Sequence, residues 1–223
     1  MNITTEQALW QKLYAIVEKE LTDGPGCHDF AHILRVLHNA ERIAESENVK
    51  NLFALRVGAL LHDIARPEEQ HSNGKLCHAQ IGADKAADIL RQCGCGDESF
   101  ISLVSNIVRS HRYRGGTTPE TLEERIVYDA DKLDSLGAFG VARSFHFAGR
   151  IGARLHNTQE EAINSEAYSR EDTAYREYLV KLRYLPRRMR STAGRKMAVE
   201  RAAFMTAFFE RMNSEIYSGD TDL

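Results

Sequence analysis

An imidazole and a carboxylate stand side by side at His62-Asp63, at the end of the apolar run GALLHDIAR. Burying that pair without partners is costly. Neutral imidazole nitrogen together with carboxylate oxygen suits borderline divalent ions such as Mn, Fe, Co or Zn. Two ligands do not complete a site, so others must come from inward-facing positions on neighbouring helices. The candidates are His32 in HDFAHILRV, His78 in CHAQIGA, His111 in IVRSH, and Asp129, Asp131 and Asp134 in VYDADKLDSLGA. Taken singly, a histidine on a partly apolar helix face is most often structural, and an isolated Asp131 is a solvated helix residue. The succession of His, then His-Asp, then Asp on successive helices is more informative than any one of them.

Helices must position these groups. From Phe30 to Glu45 the apolar residues Ile33, Val36, Leu37, Ala40, Ile43 and Ala44 form one stripe at helical spacing. Leu52 to Ala65 is apolar nearly all round, which predicts a core helix ending at His62-Asp63. A third helix covers Cys77 to Gln92 with Gly94 as its stop, and Asp97 caps a fourth on which Ile101, Val104, Val108 and His111 share a face. Thr118-Pro119 reads as N-cap and first turn of a fifth helix running through Leu136. A sixth spans about 138–148, the stretch 149–165 reads as a loop, and helices over 166–185 and 192–217 are parted by Pro186 and a basic run. No strand alternation or internal repeat interrupts the pattern. The fold class expected is all-α, a helical bundle in one domain over residues 1–223.

With 43% hydrophobic and 27% charged residues in 223, the composition is that of a globular chain rather than a disordered or membrane-embedded one. The net charge of -3 provides no global field for nucleic acid. The first residues, MNITTEQALWQKLYAIVEKE, read as neither signal peptide nor membrane span. The four cysteines, Cys27, Cys77, Cys93 and Cys95, lack zinc-clamp spacing and read as reduced thiols of a cytoplasmic protein.

The order His32, His62-Asp63, Asp131, within HDFAHILRV and GALLHDIAR, resembles the HD-domain metal-dependent phosphohydrolases over about residues 28–142. A later stretch, KLRYLPRRMRSTAGRKMA, is similar to the C-terminal part of a small branch of stand-alone HD proteins associated with nucleotide pyrophosphohydrolase activity. The resemblance implies an HD-type bundle with C-terminal helices over about 166–217 packed on a metal-binding core. It implies a single divalent ion (Mn favoured, with Fe, Co, Zn, Ni or Mg as alternatives) on His32, His62, Asp63 and Asp131. Such an ion activates water for attack on phosphorus, with Asp63 holding or deprotonating that water. The expected substrate is a small-molecule nucleotide, and the expected reaction releases pyrophosphate from a nucleoside triphosphate. Two alternatives stand beside it. One is a two-metal HD phosphodiesterase or iron oxygenase using His78 and His111 as ligands; the other is a catalytically silent nucleotide-binding module.

Around this centre, His78 and His111 are candidates for catalysis, substrate contact or a second ion. His28 reads as a cap or surface residue. Arg66 and Lys75 flank the loop after His62-Asp63, where a phosphate would approach, although solvated cations would look the same. Arg35 and Lys132 are candidates to brace ligating carboxylates, and Asp134 to orient a ligand, accept a sugar hydroxyl or make a simple helix-end contact. Glu68 or Glu69 would supply a general acid if the leaving group needs one. Arg187 and Arg188, near Arg190, Arg195 and Lys196, form the densest basic cluster and could bind phosphates. Phe204, Phe208 and Phe209 on the last helix pack within one chain or pair two copies as a homodimer.

Overall fold

The computed structural model describes residues 3–22, 27–112 and 117–217. Among them every regular element is a helix, as the periodicity predicts. Two compact units emerge from the chain's own contacts. One comprises residues up to Asp131 together with Arg190–Gly194; the other comprises Lys132–Met189 and the residues from Arg195 onward.

The first unit contains α1 (Ile3–Leu21), α2 (Phe30–Ala44), α3 (Leu52–Leu61), α4 (Arg66–His71), α5 (His78–Gln92), α6 (Glu98–Ser110) and most of α7 (Leu122–Leu133). The α2 stripe is buried, and His32 lies on the same face as Ile33, Val36, Leu37, Ala40 and Ile43. Asp29 caps this helix by accepting from the His32 backbone N–H. α3 is buried nearly all round, which is why it reads as apolar on every face. It packs against α6 so closely that a Cβ added at Gly58 would come within 2.5 Å of Ile107 Cγ2. α5 ends at Gln92, and Gly94 just beyond it has a φ of +93°, a conformation that glycine adopts without strain. Asp97 caps α6 through the Ser99 and Phe100 N–H groups, as its position predicts.

Three boundaries differ from expectation. α3 stops at Leu61, His62 to Ala65 form a turn, and the expected loop beyond it contains the short helix α4, with Pro67 in its first turn. α7 begins at Leu122 rather than at Thr118-Pro119. Thr121 wins the competition, because its hydroxyl accepts from Glu124 N–H while the Glu124 carboxylate reaches back to Glu120 N–H and the Thr121 hydroxyl. At its other end α7 stops at Leu133, where Ser135 and Leu136 close a turn on the Lys132 and Leu133 carbonyls.

The second unit holds α8 (Gly137–Arg150), α9 (Gln159–Asn164), α10 (Ala174–Val180), a 3-10 helix (Leu182–Arg188) and most of α11 (Thr192–Tyr217). α9 lies inside the expected 149–165 loop, opened by a reciprocal capping box between Thr158 and Glu161. The expected helix over 166–185 is broken. Asp172 accepts from Tyr168 N–H, and Thr173 caps a fresh start by accepting from Arg176 N–H. Tyr175, Tyr178 and Phe209 pack ring on ring in its core, with centroids 4.7 to 6.4 Å apart.

Candidate metal centre

Of the histidines and carboxylates singled out by spacing, His32, His62, Asp63, His78, His111 and Asp131 meet in the first unit. His32, His62, Asp63 and His78 are 0% exposed and His111 is 1% exposed, so these polar groups must satisfy one another or a ligand. His62 Nδ1 lies 2.8 Å from the Ala59 carbonyl oxygen. A carbonyl only accepts, so Nδ1 carries the proton and Nε2 presents a lone pair. That nitrogen is 3.3 Å from His32 Nε2. His32 Nε2 is in turn 3.5 Å from Asp131 Oδ1, and ligand atoms of His32, His62 and Asp131 all fall within 4.8 Å of one another.

Asp63 has two faces. Its Oδ2 lies 3.6 Å from both His32 Nε2 and His62 Nε2, and it accepts a 3.1 Å hydrogen bond from His28 Nδ1. Its Oδ1 looks the other way, 3.3 Å from His78 Nε2 and 3.4 Å from His111 Nε2. Arg66 Nε also sits 2.9 Å from Oδ1, but off the line of its N–H. Oδ1 therefore has charge compensation without a directed hydrogen bond. On the other side, Oδ2 with the Nε2 atoms of His32 and His62 and with Asp131 Oδ1 is the donor set that fits a divalent cation.

Electrostatics keep the ligands in their binding forms. Burial lowers His62 to about 4 against the pull of Asp63, so its imidazole is neutral at physiological pH. Burial pushes the Asp63 carboxyl up, but Arg66 and His62 outweigh it and hold the group well below the usual carboxylate range. Burial also drives His78 far below the ordinary histidine value, although Asp63 opposes it.

A second layer of partners surrounds this core. The Glu69 carboxylate accepts from Arg66 Nη1 at 2.8 Å and from His78 Nδ1 at 2.9 Å, and its other oxygen pairs with Arg112 Nη1 at 2.9 Å. His111 Nδ1 donates to the Val108 carbonyl at 2.6 Å. Asp129 is fully buried and accepts from Arg190 N–H, Ser191 N–H and the Ser191 hydroxyl at 2.6 to 3.0 Å. That network ties the 190–194 segment to α7 two residues before Asp131.

The family follows from this geometry together with three comparisons. The HD domain family model matches residues 29–136. Bacillus subtilis YpgQ, an uncharacterized protein, is 32% identical over 209 residues, spanning 92% of this chain and 93% of its own length. The chain belongs to the HD-domain family. A crystal structure of YpgQ in complex with ADP superposes with a TM-score of 0.73 at 29% identity, covering 96% of this chain and 97% of that one. A predicted HD superfamily hydrolase from an uncultured Thermotogales bacterium gives a TM-score of 0.66 at 30% identity, covering 92% and 91%. An HD-superfamily hydrolase from Bacillus thuringiensis gives 0.73 at 27%, covering 94% and 97%. An HD-domain protein of this kind is a metal-dependent hydrolase, and the His/Asp clusters described above could hold a divalent ion.

The remaining expected residues of this HD-domain protein are placed unevenly. Arg66 joins the centre, and Arg35 is half-buried one turn after His32. Lys75 is exposed beyond α4. Asp134 is not open to a sugar hydroxyl: it is buried in the second unit and takes Arg143 Nη1 at 2.6 Å. Lys132 is buried there too, and Arg187 and Arg188 are exposed on the 3-10 helix. Three participants escape a reading of spacing alone. His28 is not a cap, since Asp29 performs that task, and it binds Asp63 instead. Glu69, expected only as a general acid, instead holds Arg66 and His78, and Arg112 carries no motif although it directly follows His111. No helix among the described residues is long and apolar enough to cross a membrane.

Proposed function

We propose that the chain is a nucleotide pyrophosphohydrolase, cleaving a nucleoside triphosphate to monophosphate and pyrophosphate with one divalent ion held by His32, His62, Asp63 and Asp131. The observation that carries this reading is the convergence of the His32 and His62 Nε2 atoms with carboxylate oxygens of Asp63 and Asp131 in a buried cluster. The nucleotide part draws on YpgQ, whose crystal structure holds ADP.

A divalent ion held by His32, His62, Asp63 and Asp131 would supply Lewis-acid activation of water and neutralise phosphate charge. The protein's own groups do the rest. Ala59 fixes the His62 tautomer, so Nε2 is available as a ligand without a proton first having to leave. His28 donates to Asp63 Oδ2 and Arg66 braces Oδ1, so the carboxylate cannot swing. Burial excludes bulk water and strengthens every charge interaction at the centre. Glu69 accepts from Arg66 and His78 through Oε2 with Arg112 against Oε1, and Glu68 accepts from Lys85 Nζ at 2.6 Å, so both carboxylates stand among cations. Pyrophosphate is a good leaving group and does not require a general acid.

A second reading has its own support: Asp63 Oδ1, His78 Nε2 and His111 Nε2 also lie within 4.8 Å of one another, as a second ion of a two-metal phosphodiesterase or oxygenase would need. Product analysis separates the two. Metal-stripped protein supplied with Mn, Mg, Co or Zn and a panel of nucleoside triphosphates is expected to release pyrophosphate. Orthophosphate release would keep the hydrolase and change the bond cut. Turnover of phosphodiesters alone would favour the two-metal reading.

A further inference from the structure

Beside the metal centre, one carboxylate gathers two guanidinium groups. Glu69, on α4, bonds Arg66 Nη1 through Oε2 at 2.8 Å, and its Oε1 sits 2.9 Å from Arg112 Nη1 just past the end of α6. Arg66 and Arg112 are 20% and 31% exposed, whereas the neighbouring His78 is 1% exposed. The pair thus lies at the rim, where a ligand can reach it, and the imidazoles lie beneath.

The charge count is one-sided. Two cations share one anion at Glu69, and Asp63, which also pairs with Arg66, faces the metal ligands. Each guanidinium has five N–H donors in a planar fork. Arg66 spends Nη1 on Glu69 and sets Nε against Asp63; Arg112 donates Nη1 to Cys77 Sγ at 3.2 Å and holds it 2.9 Å from Glu69 Oε1 as an ion pair without a directed hydrogen bond. The Nη2 group of each makes no hydrogen bond among the described residues. These donors are already oriented by Glu69, so little side-chain entropy remains to be lost when an anion arrives.

We propose that Arg66 and Arg112, clamped on Glu69, form a subsite for the distal phosphates of the substrate, which makes the site select polyphosphates over single phosphate groups. This deepens the pyrophosphohydrolase reading and rests on it for the identity of the nucleotide. Glu69 is a positioning residue: it touches no phosphate and acts by holding both forks and the His78 ring. Bidentate guanidinium contacts suit two adjacent phosphoryl groups, and a point charge at the same place would not reproduce them.

The test is calorimetric titration of the full chain, in excess Mg, with inorganic pyrophosphate and separately with orthophosphate. Wild-type protein is expected to bind pyrophosphate at least tenfold more tightly. Arg112→Met should bring the two affinities to within about threefold, and Arg112→Lys, which keeps the charge and loses the fork, should fall between. Glu69→Gln should raise KM for the triphosphate more than it lowers kcat. Thermal melts of each variant identify any that fails to fold, and Arg112→Lys then carries the comparison. Equal affinity of wild type and both Arg112 variants for pyrophosphate would overturn the subsite, as would a wild type without preference. If pyrophosphate binding is lost as expected while no nucleoside triphosphate is turned over, the subsite stands and the pyrophosphohydrolase reading falls.

Discussion

His78 and His111 present their Nε2 atoms to each other at 3.1 Å, while the other ring nitrogen of each is committed to an acceptor. Two lone pairs at that separation need a proton or a cation between them, so the contact marks where a second ion would sit. Asp63 Oδ1 would be its third ligand, and Arg66 already brings positive charge to within 2.9 Å of that oxygen. Repulsion between a dication and a guanidinium a few ångströms apart is on the order of several kcal/mol, even at protein-like dielectric. Elemental analysis of the protein reconstituted with Mn and then desalted should therefore find one ion per chain. Two per chain would favour the two-metal alternative.

Asp129 anchors the helix that carries Asp131. Replacing it with Ala leaves the Arg190 and Ser191 N–H groups and the Ser191 hydroxyl without their acceptor, at a cost of about 2–4 kcal/mol. Asp129→Ala should lower the urea midpoint of the metal-free protein and weaken metal binding as α7 loosens. Ser191→Ala, which removes one donor, should cost about 1 kcal/mol. An unchanged midpoint in Asp129→Ala would show that the 190–194 segment is not held through this residue.

Acid should act on the metal-free protein in two adjoining windows. Above pH 6.5 His62 is neutral whether the chain is folded or not, and it contributes no pH dependence. Between 6.5 and about 4 the unfolded chain binds the proton that buried His62 refuses, so stability falls as pH falls. Asp63 acts at lower pH: its depressed value makes the charged carboxylate a stabilising group above pH 3.8, and that contribution is lost as acid protonates it. Denaturant midpoints measured from pH 7.5 down to 4 should hold level to about 6.5 and decline below it. His62→Gln should flatten the part of the slope between 6.5 and 4, and a slope unaltered by the substitution would assign it to other groups.

Much of the helical frame was legible because one-sided apolar stripes dictate helices, and α2, α5 and α6 fall close to where periodicity puts them. The set His32, His62, Asp63 and Asp131 was legible only through the resemblance of their order to HD-domain proteins; spacing alone left His78, His111 and the neighbouring aspartates equally open. What escaped depends on competition or on long-range contact. Thr121 and Thr118 are both plausible caps, and the reach of Glu124 decides between them. The break before Thr173 comes from side-chain bonds to backbone that no apolar period records. His28 looks like a cap because it neighbours one, and its bond to Asp63 spans 35 residues of chain. Glu69 and Arg112 are 43 positions apart in the sequence numbering, and only folding makes them an ion pair. Asp134 stood open between a ligand role and a structural contact, and spacing beside Asp131 could not reveal that Arg143 takes its carboxylate.

The most direct measurement couples metal content to turnover in the same preparations. Wild type and Asp131→Ala would be stripped, reloaded with Mn, desalted, and assayed side by side for bound ion and for pyrophosphate released from nucleoside triphosphates. The expected result is about one ion per chain and pyrophosphate release in wild type, with both lost together in Asp131→Ala while the helical circular-dichroism signal is retained. Full metal content and undiminished pyrophosphate release in a folded Asp131→Ala would contradict the assignment of this cluster as the catalytic metal centre.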